Sequence, residues 1–312
     1  MSSALKLGIV LLAGYGVAAS LLGAFVAIAW FAGLKRKRLG AADLLALRLV
    51  PVTGALLLAT TVVLPAFLSY EPHHDREAVG PLLLILAAFA LLALGHGIWR
   101  GWGAWSSARA LLSACGPARR YVAGNGYRVR VVDVAEPFIG VIGAWRAQVV
   151  SAECVISACS QDEFRQVLAH EAAHLSARDN LKLLFMVACP DALAWTPLDK
   201  ALFERWRTAA EFAADQRATG NDPQKRVALA SALIKVARLL EPGQSARHPL
   251  TMPVALDDVE GRVRQLLAPP HAATPAMIGR VLLSLALVMP VVALPLHAIV
   301  HELIETLVTF GI

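Results

Sequence analysis

Two histidines and a glutamate near the middle of the chain have the residue types and the spacing of a hydrolytic metal site. His170 and His174 are four residues apart, so on a helix they project from nearly the same face, about one turn from each other. Both imidazoles can then reach one tetrahedral zinc ion. Glu171 points about 100° away from that face, which suits it to act as general base on a zinc-bound water. The motif therefore predicts metal-assisted attack of water on a carbonyl group such as that of an amide.

A helix has to carry this motif, and the residues before it predict where that helix begins. Ser160 followed three residues later by Glu163 has the pattern of a capping box, and no proline interrupts the run before Pro190. Apolar residues supply a packing face: Phe164, Val167, Leu168 and Leu175. Arg178 and Asp179 are interpreted as the residues that close the helix, with a role in orienting the site as the alternative. The metal motif is thus expected in mid-helix.

A third ligand must come from a separate element, and Glu211 is the best candidate. It lies in residues 203–215, a helix-favouring run rich in alanine. Asp215 follows four residues later on the same face, where it could accept the free N–H of a ligand histidine. Glu204 is the rival ligand, but it has no partner carboxylate at that spacing. A solvated helix face is the alternative for both Glu211 and Asp215.

The composition places this site in a membrane protein. The chain is 57% hydrophobic and only 17% charged, which is too apolar for a soluble protein. Four stretches free of Asp, Glu, Lys and Arg are long enough to span a bilayer: about residues 7–34, 49–70, 78–99 and 281–301. The expected fold is an α-helical membrane protein with four transmembrane helices and an inserted α+β zincin-like metallopeptidase domain. The expected domains are 1–99 with three helices, 100–279 with the peptidase, and 280–312 with the fourth helix.

The charges of the loops predict the orientation of these helices. The loop 35–48 is strongly basic, with Lys35, Arg36, Lys37, Arg38 and Arg48, whereas the loop 71–77 carries three acids and one arginine. By the positive-inside rule the first loop and the peptidase domain lie in the cytosol, and the N-terminus and the short C-terminal tail lie outside. The first helix is too long for a signal peptide and is expected to be retained. The predicted location is the cell (inner) membrane, with several passes.

The net charge of +6 does not require a nucleic-acid partner. Arginines close to the bilayer would face anionic lipid, so the lipid bilayer is the expected partner and no direct nucleic-acid contact is predicted. The cysteines all fall in the predicted cytosolic part, at Cys115, Cys154, Cys159 and Cys189. Free thiols are therefore expected, and Cys154 and Cys159 are interpreted as small buried residues.

The rest of the central domain is predicted from local patterns. Residues 127–134, 137–143 and 148–158 have strand-like patterns, and a substrate-binding sheet edge and a purely structural sheet are equally good interpretations. Residues 181–198 are apolar but interrupted by prolines and charges. We expect them not to span the membrane, and to pack under the protease core or lie at the bilayer surface. Helices are expected near 225–241 and 257–268.

The residues around the motif resemble the BlaR/MecR-type membrane metallopeptidases. The similarity is in residues 168–180, in the apolar stretch with prolines that follows, in residues 210–215, and in the order of spans, strands and helices. The resemblance implies zinc held by His170, His174 and Glu211, with Glu171 as base and Asp215 behind the ligands. It also implies cleavage of a cytosolic regulator, such as a transcriptional repressor, or of the chain itself. The chain ends soon after His301, so no extracellular penicillin-binding sensor domain is expected, and beta-lactam sensing is not carried over.

The sequence thus predicts a membrane-embedded zinc metalloendopeptidase that cleaves a cytosolic or membrane-associated protein in a regulatory step. One alternative is an HtpX-like protease for membrane-protein quality control. His248-Pro249 with Arg262 is similar to a pattern of that group, although the separation is too long. His248 is a candidate for oxyanion stabilisation, with a plain turn histidine as the alternative.

An alternative of another class is a non-catalytic membrane signalling or scaffold protein with a silent zinc site. A closed structural site would need a further Cys or His at ligand spacing next to the motif, and none lies there. The intact Glu171 also argues against a silent site. A signal would enter through the spans, through the loop around His73 and His74, or through a separate sensor partner, and a homo-oligomer is compatible with the sequence.

Overall fold

The computed structural model of the protein describes residues 2–70, 79–124, 127–134, 136–220, 222–239 and 256–268. These residues are mostly helical, with one small sheet, and the chain divides into two compact units. Unit 1 comprises Met1–Arg100, Ala188–Phe203 and Pro275–Ile312. Unit 2 comprises Gly101–Val187 and Glu204–Thr274.

Three helices among the described residues are long and apolar enough to cross a membrane, and we call them the membrane-length helices. They are α1 (Ser3–Ala32), α2 (Ala41–Leu58), which continues through a π-helical turn (Ala59–Val63) into α3 (Leu64–Tyr70), and α4 (Pro81–Ala114). They correspond to the first three predicted spans. The fourth predicted span, residues 281–301, lies outside the described residues.

The second membrane-length helix begins earlier than predicted. It starts at Ala41, so that it includes Asp43 and Arg48, whereas the charge-free stretch begins at residue 49. Arg48 is fully buried, and its guanidinium lies 2.6 Å from both Asp191 and Asp199. A paired charge costs a helix less than an exposed one in lipid, so a rule based on charge-free stretches places the boundary too late.

The apolar residues 181–198 are divided among several elements. Helix α7 (Asp179–Ala188) contains the first part, a 3-10 turn follows at Ala192–Trp195, and helix α8 (Pro197–Thr219) contains the end. From Ala188 onward this stretch belongs to unit 1, where the hydroxyl of Tyr15 in α1 donates to the carbonyl of Pro190 at 2.8 Å. From Ala188 onward, this stretch therefore packs against the membrane-length helices.

Unit 2 contains a four-stranded sheet with the order β1-β2-β4-β3. The strands are β1 (Arg120–Gly124), β2 (Tyr127–Val132), β3 (Ile139–Ile142) and β4 (Gln148–Ala152). The pair β2 and β4 is parallel, and the two outer pairs are antiparallel. The prediction of a strand over 148–158 is wrong after Ala152, because Glu153–Ala158 forms helix α5 and buries Val155. A short apolar run does not distinguish a strand from a helix by periodicity alone.

Among the described residues, five further helices follow the sheet in the sequence. They are α6 (Gln161–Ala177), α7 (Asp179–Ala188), α8 (Pro197–Thr219), α9 (Pro223–Leu239) and α10 (Leu256–Leu267). The predicted capping box is confirmed at the start of α6: the Glu163 N–H donates to the Ser160 hydroxyl, and the Ser160 N–H donates to the Glu163 carboxylate. Arg178 ends α6 in the left-handed conformation, with φ of 54°, so that the chain turns into α7.

The core of unit 2 holds α6 between the sheet and the later helices. Buried side chains of the sheet, α5, α6, α9 and α10 form one cluster that includes Val129, Val141, Val149, Val155, Val167, Leu168, Leu229 and Leu233. On the α9 side, Ser231 and Lys235 both donate to the Glu163 carboxylate, at 2.6 and 2.7 Å. The helix that carries the metal motif is thus fixed along its length.

Candidate metal centre

Helices α6 and α8 bring three potential metal ligands together. The Nε2 atoms of His170 and His174 are 3.1 Å apart on α6. From α8, the carboxylate of Glu211 lies 3.3 Å from His170 Nε2 and 3.6 Å from His174 Nε2. One ligand atom from each residue can be chosen so that all lie within 4.8 Å of one another. The third ligand expected from the sequence therefore lies beside the histidine pair, and Glu204 is not part of this group.

The dimensions and donor types of this group fit a zinc ion. Two ligands about 2.1 Å from a tetrahedral zinc are about 3.4 Å apart, close to the separations seen here. Two imidazoles and one carboxylate are also a ligand set of catalytic zinc sites, which keep a fourth position for water or substrate. His170 and His174 are 3% and 1% exposed, so the group is shielded from bulk water.

Each histidine has a carboxylate behind it. Asp215 lies 2.8 Å from Nδ1 of His170, as expected from its position one turn after Glu211. Asp179 lies 2.8 Å from Nδ1 of His174. A carboxylate at Nδ1 holds the proton on that nitrogen and leaves Nε2 free as a ligand.

For Asp179, this contact favours the alternative of a role in orienting the site over the interpretation that the residue only closes the helix. Arg178 does end α6, but its left-handed backbone turns the chain so that Asp179 returns to His174, with only 1% of the residue exposed. Residues five apart on one helix would not face each other, so helical spacing misses this pair. An acidic residue just beyond the end of the motif helix is the one signal that could have pointed to it.

Arg262 of α10 is a site residue that the sequence analysis did not assign. Its guanidinium lies 2.8 Å from the carboxylate of Glu211 and donates to both oxygens of Asp215, at 2.6 and 2.9 Å. Only 2% of Arg262 is exposed. An arginine buried between two carboxylates offsets their repulsion. The sequence analysis named Arg262 only in a pattern with His248, and its distance in sequence from the metal motif gave no signal of these contacts.

Glu171 is buried, with 1% of the residue exposed, and its Oε2 has no hydrogen-bond partner among the described residues. Burial raises the pKa of this carboxyl, and the neighbouring His170 and His174 only partly offset that effect. A carboxylate with a raised pKa and a free oxygen is better suited to take up a proton than an ordinary exposed carboxylate. The predicted base thus has the environment that its role would need.

The site as a whole favours positive charge. Burial opposes protonation of His174, but the carboxylates of Glu211 and Asp179 outweigh it and raise the pKa of His174 to about 10. The pKa of Glu211 is held well below its usual range: burial alone would raise it, but Arg262 and His174 dominate. A cavity that stabilises a protonated imidazole in this way also stabilises a metal dication.

Two other expectations concern His248 and the edge of the sheet. His248, the candidate for oxyanion stabilisation, lies outside the described residues. Strand β3 is an edge strand of the sheet, but the side-chain amide of Asn180 donates to the carbonyls of Val141 and Gly143 at 2.9 and 2.8 Å. These bonds favour the structural interpretation of that end of the sheet over the substrate-binding one.

Comparison with known proteins gives a family whose model covers all of these site residues. The model of the family described as BlaR1 peptidase M56 matches residues 78–266, more than half of the chain. This region contains the metal motif, Glu211, both carboxylates behind the histidines, and Arg262. No curated protein and no solved structure matches the chain.

Proposed function

The chain belongs to the BlaR1 peptidase M56 family, and on that premise we propose that it is a membrane-embedded zinc metalloendopeptidase. The observation that carries the proposal is the buried group of His170, His174 and Glu211, with a separate carboxylate at Nδ1 of each histidine. In this proposal those three residues hold the zinc and Glu171 is the general base.

Each residue of the site has its own role in the proposed reaction. A bound zinc would polarise the scissile carbonyl and acidify a water molecule. Glu171 takes up the proton of the attacking water and passes it to the leaving amine. Asp215 and Asp179 keep the histidine Nε2 atoms available, and Arg262 keeps Glu211 ionised and in place.

We further propose that the active site faces the cytosol of a cell whose inner membrane holds the chain. The basic residues 35–38 follow α1 directly and support a cytosolic position for that connection. A reporter that works only in the cytosol should then be active when it is fused after Gly220. A reporter that works only after export should be inactive at the same position. Activity of a reporter that requires export would contradict this orientation and would leave the zinc chemistry untouched.

The proposed substrate is a protein, either a cytosolic regulator or the chain itself. This part of the proposal rests on the family and on the predicted cytosolic site. A quality-control protease would instead degrade many membrane proteins. Comparing the membrane and cytosolic proteomes of cells with wild-type protein and with Glu171→Gln distinguishes them, because a regulatory protease leaves one or a few uncut species.

Glu171→Gln is also the direct test of the enzyme. The variant should bind zinc as the wild type does, because the ligands remain, and it should lose proteolysis by about 10²- to 10⁴-fold. Glu204→Gln on α8 is a matched control that should keep both properties. The outcome is measured by zinc analysis of the purified proteins and by cleavage of the uncut protein that accumulates in cells with Glu171→Gln. Unchanged cleavage in Glu171→Gln, or purified protein without zinc, would refute the proposal.

A further inference from the structure

Unit 2 exposes two large apolar side chains that lie against each other. Trp145, in the turn between β3 and β4, is 68% exposed, and Phe185 on α7 is 50% exposed. Their ring centroids are 6.4 Å apart at an angle of 83°, an edge-to-face arrangement. We call these two residues the aromatic pair. A Phe side chain left in water forgoes about 1.5–3 kcal/mol of burial, so two exposed rings in contact are a candidate contact surface.

The aromatic pair stands on a fixed backbone. The two hydrogen bonds from Asn180 to Val141 and Gly143 join the start of α7 to the end of β3. Gly143 has φ of 93°, in the region that favours glycine, and a Cβ there would lie 3.3 Å from the carbonyl of Arg146. The exposed rings are therefore held in place and not carried on a loose segment.

The surroundings of the aromatic pair match a bilayer interface. Residues 143–147 and 180–188 contain only two charged side chains, Arg146 and Lys182, and both are basic. Arg146 is exposed, and Lys182 is ion-paired with Asp179. The remaining residues of these stretches, apart from Asn180, are apolar or glycine. Aromatic rings with basic neighbours are typical of surfaces that insert into anionic membrane interfaces.

The order of segments along the chain also favours lipid over another protein as the partner of the aromatic pair. Phe185 lies three residues before Ala188, which is the last residue of α7 and the first residue of the segment that belongs to unit 1. Unit 1 contains most of the residues of the membrane-length helices. The aromatic pair thus lies next in sequence to a part of the chain that is packed against those helices.

We propose that Trp145 and Phe185 insert into the interfacial region of an anionic bilayer. Unit 2 would then have a membrane contact of its own, separate from the membrane-length helices. The proposal concerns lipid contact and does not depend on peptidase activity.

Fluorine NMR of the full chain labelled with fluorotryptophan tests this proposal. The protein is reconstituted as one copy per nanodisc of phosphatidylcholine with phosphatidylglycerol. Trp145→Phe removes one resonance and so assigns Trp145, while an aromatic ring stays at the position. A spin label attached to lipid near the headgroup should broaden the Trp145 resonance, and a water-soluble gadolinium chelate should broaden it much less.

Two other tryptophans serve as references and are assigned in the same way. Trp206 in α8 is fully buried and should respond to neither agent, whereas Trp99 on α4 is 70% exposed and should respond to the lipid label. Broadening of Trp145 by the chelate alone would overturn the proposal, because the ring would face water. Protection from both agents would also overturn it, because another protein surface would cover the ring.

A second variant tests the charge argument without changing the rings. Arg146→Gln should reduce the broadening by the lipid label in nanodiscs that contain phosphatidylglycerol, because an attraction to the anionic headgroups is lost. Arg264→Gln, which removes a charge that is 78% exposed on α10, is the matched control and should leave the Trp145 signal unchanged. An equal response of both variants would refute the basic contribution to the contact.

Discussion

Each histidine of the candidate metal centre depends on a carboxylate from a different part of the chain. Asp215 comes from α8, together with Glu211, and Asp179 is the first residue of α7. The two contacts have the same length, 2.8 Å to Nδ1, and both carboxylates are almost fully buried. We therefore expect the two histidines to be equally well oriented for a metal.

Asparagine at either position tests this symmetry. Asp179→Asn and Asp215→Asn should each weaken zinc affinity by about 10- to 100-fold, because the neutral amide holds the imidazole tautomer less firmly. Competition with a chromogenic chelator measures the affinity. Asp162→Asn is the control, because that side chain is 79% exposed at the other end of α6. If only Asp215→Asn weakened binding, Asp179 would be merely structural.

Arg262 is expected to matter most when no metal is bound. Arg262→Met leaves the carboxylates of Glu211 and Asp215 facing each other without a cation, and breaking a buried ion pair costs about 3–5 kcal/mol. A zinc ion would replace part of the lost positive charge. The variant should therefore unfold at a lower temperature than the wild type, with a smaller difference when zinc is added. An equal difference with and without zinc would contradict this account.

At the scale of elements, one charged residue in the first turn of α6 bonds to α9 in addition to the apolar packing of the two helices. Glu163 accepts hydrogen bonds from Ser231 and Lys235 as well as from the backbone of Ser160. Burial would raise the pKa of Glu163, but these donors outweigh it and lower the pKa to about 2. The cap of the metal-binding helix and its packing on α9 thus share one carboxylate.

This shared carboxylate predicts a pH dependence of stability. Because the pKa of Glu163 is lower in the folded state than in the unfolded state, its contribution is complete above about 4.5 and is lost as the pH falls towards about 2. The free energy of unfolding should therefore fall over that window. In Glu163→Gln the fall should be shallower, as measured by chemical unfolding at several pH values. An unchanged slope in the variant would show that other carboxylates account for the acid sensitivity.

At the scale of the whole molecule, unit 1 is assembled from segments that are far apart in the sequence. Arg48 of α2 binds Asp191 and Asp199, and Arg100 of α4 binds Asp199, each at 2.6 Å. The side chains of Arg48 and Asp191 are fully buried. These ion pairs attach the segment Ala188–Phe203 to two membrane-length helices.

Removing one partner of this network should destabilise unit 1 strongly. Asp191→Ala leaves Arg48 with less compensation in a buried place, which costs about 3–5 kcal/mol. The double variant Arg48→Met/Asp191→Leu removes both charges and leaves Asp199 paired with Arg100, so it should recover much of the loss. Thermal unfolding in detergent micelles measures both. Glu260→Ala in the exposed pair with Arg264 is the control and should have little effect. A double variant as unstable as Asp191→Ala would show that packing, not charge, holds the segment.

The sequence by itself determined the features that depend on short-range periodicity. The capping box of Ser160 and Glu163, the shared face of His170 and His174, and the placement of Asp215 one turn after Glu211 all follow from helix geometry. Long charge-free runs likewise indicated the three membrane-length helices. Such patterns are local, because the spacing along one helix decides which side chains share a face.

Only the tertiary structure decided which distant residues meet. Asp179 reaches His174 because Arg178 turns the chain, and Arg262 of α10 reaches Glu211 of α8 while α10 packs beside α9 in unit 2. The ion pairs of Arg48 likewise join residues more than a hundred positions apart. Such contacts arise from the packing of separate elements, and packing leaves no periodic signal in the sequence. The ligands of the candidate centre and Asp215 behind them could thus be named from the sequence, whereas the contacts of Asp179 and Arg262 with this group could not.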